Sequence, residues 1–202
     1  MKYKATTEHL KSVIDAYGHT MKNQFVVITG TTSGTGFVCA RELGLLGATV
    51  LLLNRKSARL DDSLQQLQQA VPKGQFDSII CDLQDFESVR KAMQIIVSRY
   101  DLVDILVNNA GVMALDDRAT KDGYDIQMQT NVLAHFLITK TLFPLLKKSH
   151  NARIINHSSM ARLGPPLESQ YFEKKGGQLG GNGSETDTYS FKGPRWMRYH
   201  QR

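Results

Sequence analysis

The chain has 202 residues, 41% of them hydrophobic, and 25 Lys and Arg stand against 19 Asp and Glu for a net charge of +6. That length suffices for one domain with a sizeable core, and no apolar run approaches the roughly 18 residues that a membrane span needs. The first 24 residues lack the apolar stretch of a secretory signal, and the basic residues are scattered without interleaved aromatics, which speaks for a solvated surface and against nucleic acid.

Residues 1–24 carry Leu10, Val13, Ile14 and Tyr17 at helical spacing before Gly18, so they read as an N-terminal helical extension packed on the outside. Residues 25–36, FVVITGTTSGTG, organise the rest of the chain. Phe25–Ile28 has the length and β-branched content of a buried strand. Gly30, Gly34 and Gly36 come next, then an apolar-periodic segment with Phe37, Ala40 and Leu43. A strand, a glycine-rich turn and a helix N-terminus together form an anion site, because backbone N–H groups and the positive end of the helix dipole face the turn. Glycine lets a pyrophosphate reach the backbone, and at Gly36 it lets the helix lie close on the strand. The spacing is GxxxGxG, distinct from the commoner GxGxxG, and no Gly-Lys-Ser/Thr comes after it as in a Walker loop.

Thr49–Leu53 reads as a second buried strand. Leu60, Leu64, Leu67 and Val71 mark a helix closed by Pro72 and Gly74. Gln75–Ile80 is a third strand, ending at Cys81-Asp82. Asp85 is placed to cap a helix whose buried stripe is Phe86, Val89, Met93, Ile96 and Tyr100. Val103–Val107 is a fourth strand, ending in Asn108-Asn109-Ala110-Gly111. After a polar loop, a long helix from about Tyr124 to Lys147 carries Ile126, Leu133, Phe136 and Leu137. Arg153–Asn156 is a fifth strand, ending in His157-Ser158-Ser159. Cys39 and Cys81 have no metal-ligand spacing and suit a reduced, cytoplasmic protein with no metal.

Strands alternating with helices imply right-handed βαβ units and a parallel sheet covered on both faces. The expected architecture is an α/β doubly wound, Rossmann-type sheet of strand order 3-2-1-4-5. Ligands of that class bind beyond the carboxyl ends of the strands, where Asp82, Asn109 and Ser159 fall. The dinucleotide-binding domain is expected over 25–163. Residues 164–202 read as an insertion loop, rich in Gly and holding Pro165 and Pro166, then the start of a helix at Pro194.

Thr29-Gly30-x-x-x-Gly34-x-Gly36, Asp82, Asn108-Asn109-Ala110-Gly111, Asn131 and Ser158-Ser159 occur in that order over residues 22–162. In this the chain resembles the short-chain dehydrogenase/reductase family, and within it the retinol-dehydrogenase-like and protochlorophyllide-reductase-like branches. The resemblance implies a nicotinamide dinucleotide held by Gly30, Thr32, Ser33, Gly34, Thr35, Gly36, Asp82, Leu83, Asn109, Ala110 and Gly111. Where NAD enzymes carry a second-strand acid, this chain has Asn54-Arg55-Lys56, and Arg55 suits a ribose 2′-phosphate. NADP is therefore expected ahead of NAD. The resemblance also implies a small-molecule carbonyl or alcohol substrate, and the apolar insertion suggests a bulky or hydrophobic one. Ser159 is the implied hydrogen-bond donor to its oxygen, Asn131 the anchor of a water, and a tyrosine the proton donor. A lysine four residues after the tyrosine lowers its pKa from about 10.

Two tyrosines compete. Tyr171 begins a literal YxxxK with Lys175, but Pro165, Pro166 and Gly176-Gly177 crowd it. Tyr199 comes after an active-site-helix-like Arg195–Arg198 and is preferred, although Arg202 stands where the lysine is one residue away, about 100° around a helix. The expectation is a chain cut off inside its active-site helix, with strand five as an open edge and homodimerisation through that side. A second reading is a catalytically impaired cofactor-binding or partner-binding protein.

Overall fold

The computed structural model describes residues 20–113, 115, 119–159 and the isolated positions 12 and 172–174. β1 (Phe25–Thr29) leads to α1 (Gly34–Leu45), β2 (Thr49–Asn54), α2 (Ala58–Ala70), β3 (Gln75–Ile80) and α3 (Phe86–Arg99). β4 (Ile105–Asn108), a helical run α4 over 126–146 and β5 (Arg153–Asn156) complete the order. The strands form one parallel sheet ordered β3-β2-β1-β4-β5, as expected. The expected helix over Leu10–Tyr17, Tyr171, Tyr199 and the helix start at Pro194 lie outside the described residues.

Alternation along the strands divides the core. Val27, Leu51, Leu53 and Leu106 point to the face covered by α3 and α4, packing on Val89, Met93, Ile96 and Ile138. Val26, Ile28, Val50, Leu52, Ile105 and Val107 point to the opposite face with Phe37, Ala40 and Leu67 of α1 and α2. Both faces of β1, β2 and β4 are thereby buried, which is why these strands read as continuous apolar runs. β3 and β5 are the edges among the described residues, and Ile154 and Ile155 of β5 are 40% and 49% exposed.

Asp85 caps α3 as expected, its carboxylate accepting from the backbone N–H of Glu87 at 2.8 Å and of Ser88 at 3.2 Å. Asp122 in the preceding polar loop of α4 reinforces that end, accepting from the N–H of Phe86 at 2.9 Å and from Gln129 Nε2 at 2.7 Å.

Two elements depart from expectation. β4 begins at Ile105, two residues later than read, although Val103 is fully buried. α4 starts at Ile126 and includes a π-helical stretch, Gln129–Leu133, before regular helix resumes at Ala134–Leu146. The wider turn inserts one residue and rotates everything after it. The core face therefore passes to Ala134, Ile138, Leu142 and Leu145, while Phe136, one of the apolar residues read for this helix, is 67% exposed. No described helix is long and apolar enough to cross a membrane.

Candidate functional site

A cleft of about 460 Å³ opens at the carboxyl ends of the strands. It brings together Gly30, Thr32, Ser33, Thr35, Gly36, Arg55, Asp82, Leu83, Asn109, Ala110, Gly111, Asn131 and Ser159, from the segments that end all five strands and from the π stretch of α4. Gly34, the remaining expected contact, does not line it; it begins α1 with φ +60°.

The glycine turn is shaped by contacts to β4 as much as by its own geometry. Gly30 has φ +71°, and a Cβ there would lie 2.7 Å from Cα of Ala110. At Gly36 a Cβ would collide with the carbonyl oxygen of Gly30 and with Nδ2 of Asn109. Gly36 thus makes room for the turn itself and for a side chain from the loop after β4, not only for helix-on-strand packing. Asn109 occupies that room: its amide donates to the carbonyls of Thr29 at 2.9 Å and Gly30 at 3.0 Å. Both protons being placed, its Oδ1 faces outward and lies 3.0 Å from Nδ1 of His157. On the β2 side, buried Asn54 accepts from the N–H of Thr31 at 2.8 Å and donates to its hydroxyl at 2.7 Å.

The N-terminus of α1 has the chemistry of an anion site. Its N-cap, Ser33, makes no side-chain capping bond, and no acid occupies the first turn, whereas α2 and α3 carry Asp61 and Glu87 there. A helix start without a carboxylate, opening on a cleft through Ser33, Thr35 and Gly36, fits the phosphates of a dinucleotide. Arg55 is exposed at the cleft's rim. Asp82 is half-buried at the end of β3 and accepts from the N–H of Gln84 at 3.0 Å. Cys81 beside it is buried, and desolvation first, then the Asp82 charge, pushes its thiol up to about 12.

Asn131 sits in the π stretch, and its amide pairs with both backbone groups of Val112: Oδ1 accepts from N–H at 2.8 Å and Nδ2 donates to the carbonyl at 2.9 Å. It bonds across to the β4 loop, not within its helix. Ser159 lies beyond β5 on the same cleft. Three contributors, Thr29, Asn54 and His157, were named only as parts of longer stretches, and a fourth, His135, had no sequence signal assigned to it. Asn54 and His157 adjoin residues already singled out; His135 lies on a helix face that reads as structural.

A family model described as short chain dehydrogenase matches residues 24–177. The chain is 35% identical over 174 residues to the short-chain dehydrogenase TIC 32 A, chloroplastic, of Brassica napus, covering 84% of this chain and 53% of that one. It is 33% identical over 144 residues to human retinol dehydrogenase 13, covering 71% and 44%. A Shigella flexneri short chain dehydrogenase structure complexed with NADP superposes with a TM-score of 0.60 at 27% identity, covering 70% of this chain and 61% of that one. The chain spans about half the length of the curated relatives it matches. With a glycine turn, Asp82, the Asn108–Gly111 loop, Asn131 and Ser159 gathered at the tips of a 3-2-1-4-5 sheet, the chain belongs to the short-chain dehydrogenase/reductase family.

Proposed function

We propose that this chain supplies the cofactor-binding part of an NADP(H)-dependent oxidoreductase that interconverts a carbonyl and an alcohol on a hydrophobic small molecule. The observation that carries the reading is the single cleft lined by the glycine turn, Arg55, Asp82, the Asn109–Gly111 backbone, Asn131 and Ser159. Ser33, Thr35 and Gly36 at the start of α1 hold the pyrophosphate. Leu83 and Asp82 border the adenine, and Asn109–Gly111 pass the adenosine ribose. Arg55, with no carboxylate on the same strand end, supports a 2′-phosphate through charge-assisted hydrogen bonds. When bound, the nicotinamide supplies hydride chemistry.

The chain's own residues handle the oxygen and its proton. The Ser159 hydroxyl donates to the substrate oxygen and stabilises charge as it develops there. Tyr199 is the proposed proton donor or acceptor, with Tyr171 the alternative. Asn131, held by Val112, fixes the floor of the cleft where a relay water is anchored. The two free cysteines support a reducing, cytoplasmic setting, and the exposed Ile154 and Ile155 support homodimer contact on the β5 side.

Calorimetric titration with NADPH and NADH, then NADPH consumption with aldehydes and ketones, tests the proposal. Tighter NADPH binding with turnover lost in Ser159→Ala is the expected result. Binding of NADPH without turnover of any carbonyl leaves a cofactor-binding protein, and binding of neither nucleotide overturns the reading.

A further inference from the structure

Thr29 ends β1, and its hydroxyl oxygen is the meeting point of groups from three elements. The backbone N–H groups of Asn109 and Ala110 both donate to Oγ1, each at 3.0 Å. Nε2 of His135, from α4, lies 3.0 Å from the same oxygen. A hydroxyl has two acceptor lone pairs and one proton. The two N–H donors fill the lone pairs, so the hydroxyl proton points to His135, whose Nε2 must accept. The other ring nitrogen, Nδ1, lies 3.0 Å from the carbonyl oxygen of Asn131. A carbonyl only accepts, so Nδ1 carries the ring proton. The partners alone select one neutral tautomer.

We propose that His135 is a positioning residue, a neutral Nδ1–H imidazole strut that ties the carbonyl of Asn131 to the Thr29 hydroxyl and so locks the π stretch of α4 against the glycine turn. The ring is 8% exposed, and burial holds its pKa below the ordinary histidine value, which keeps it neutral. The wide turn at Gln129–Leu133 disturbs the regular i→i+4 bonding of its carbonyls. Asn131 sits in the middle of it, held by Val112 through its side chain and by His135 through its backbone. A second ring proton would face a Thr29 oxygen whose lone pairs are already filled. The hydroxyl would have to release Asn109 or Ala110, both of which line the cleft. His135 therefore couples its own protonation to the shape of the turn. The other titratable groups bordering the turn are Arg55, Cys81, Asp82 and His157, all on the cleft side; among the described residues no charged side chain hydrogen-bonds the His135 ring.

The functional half of this inference rests on the cofactor reading; the tautomer does not. The test begins with the full wild-type chain labelled with ¹⁵N-histidine. Long-range ¹H–¹⁵N correlation at neutral pH is expected to show His135 with a protonated Nδ1 and an unprotonated Nε2. The opposite tautomer, or a doubly protonated ring, overturns the strut. NADPH titrations of Thr29→Val, His135→Leu and the double variant come next, and each single variant is expected to bind about tenfold more weakly. The double variant is expected to match Thr29→Val alone, whereas fully additive losses overturn the coupling. In a His157→Gln background, NADPH affinity is expected to fall on acidification by one proton more than the nucleotide's own 2′-phosphate takes up, and His135→Gln is expected to remove that extra step; an unchanged profile overturns the proposal. A wild-type chain with the expected tautomer that binds neither nucleotide defeats the cofactor reading and leaves the strut standing.

Discussion

Asn109 clamps Gly30: its side-chain amide donates to the Gly30 carbonyl at 3.0 Å while donating also to Thr29 at 2.9 Å. The conformation of the glycine turn is thus set by a side chain 79 residues away in sequence. Asn109→Ala leaves two carbonyls without this donor, a loss of about 1–3 kcal/mol. NADPH binding is expected to weaken about tenfold, with a lower melting temperature. Asn109→Asp is expected to be worse, because a carboxylate would face the same two carbonyls. Equal affinities for wild type and Asn109→Ala in calorimetry would show that the clamp does not shape the site.

Gly36→Ala tests the same contact from the other side. The added methyl meets the Gly30 carbonyl and the Asn109 amide, and neither can retreat without breaking the other. Overpacking of this kind costs about 1–3 kcal/mol. Urea denaturation is expected to show that loss, and NADPH affinity is expected to fall by more than the tenfold of Asn109→Ala. Gly34→Ala is the informative comparison: a Cβ there meets nothing within 4 Å, so any penalty comes only from its φ of +60°.

The sheet was readable because its signals are local. Val26–Ile28, Val50–Leu53 and Ile105–Val107 are apolar on both faces, so their runs are continuous, and glycines and asparagines punctuate their ends. The cleft was readable in turn, since Asp82, Asn109 and Ser159 each stand a step or so past a strand. What stayed hidden depends on pairs far apart in the chain. The Thr29–His135 contact spans 106 residues, and nothing around His135 distinguishes it from an ordinary buried histidine. The π stretch has no marker either: residues 126–137 satisfy a regular helical pattern until the extra residue turns Phe136 outward. Arg55 was singled out by its place at the end of β2, and Ser159 by its place in the order of motifs, a signal that no single window contains; both line the cleft.

Cys81 lines the cleft yet is expected to be chemically inert. Its thiol, pushed up to about 12 by burial and by Asp82, leaves about one molecule in ten thousand as thiolate at pH 8. Cys39, half-buried, is raised as well by burial and by Glu42. Iodoacetamide at pH 8 is expected to leave Cys81 unmodified in the native chain and to label both cysteines in urea, as read by peptide mass spectrometry. Rapid labelling of native Cys81 would mean that the β3 end is open to solvent.

Arg55 is the residue proposed to decide between the two nicotinamide cofactors. It is exposed, so its removal is expected to leave the melting temperature unchanged. A charge-assisted bond to a phosphate contributes about 1.5–3 kcal/mol. Arg55→Ala is therefore expected to weaken NADPH by about ten- to a hundredfold and to leave NADH within about twofold. Parallel losses for both nucleotides would assign Arg55 to the shared part of the cofactor and remove the argument for NADP.

His135 gives folding stability a pH dependence whose sign comes from burial. Desolvation lowers its folded pKa, only partly offset by the hydrogen bond to Asn131, while the unfolded chain titrates near the ordinary value of about 6.5. Between those two values the unfolded state binds the proton and the folded state does not, so stability rises with pH in that window. The contribution is complete above about pH 6.5 and is lost as the pH falls below it, by at most about 1.4 kcal/mol per pH unit for one group. Urea midpoints between pH 7.5 and 5.5 are expected to decline less steeply in His135→Gln than in wild type. The other five histidines are present in both chains and cancel in the comparison. Identical slopes would mean that His135 titrates alike in the folded and unfolded states, and the ring would then not be the desolvated strut that Thr29 and Asn131 enclose.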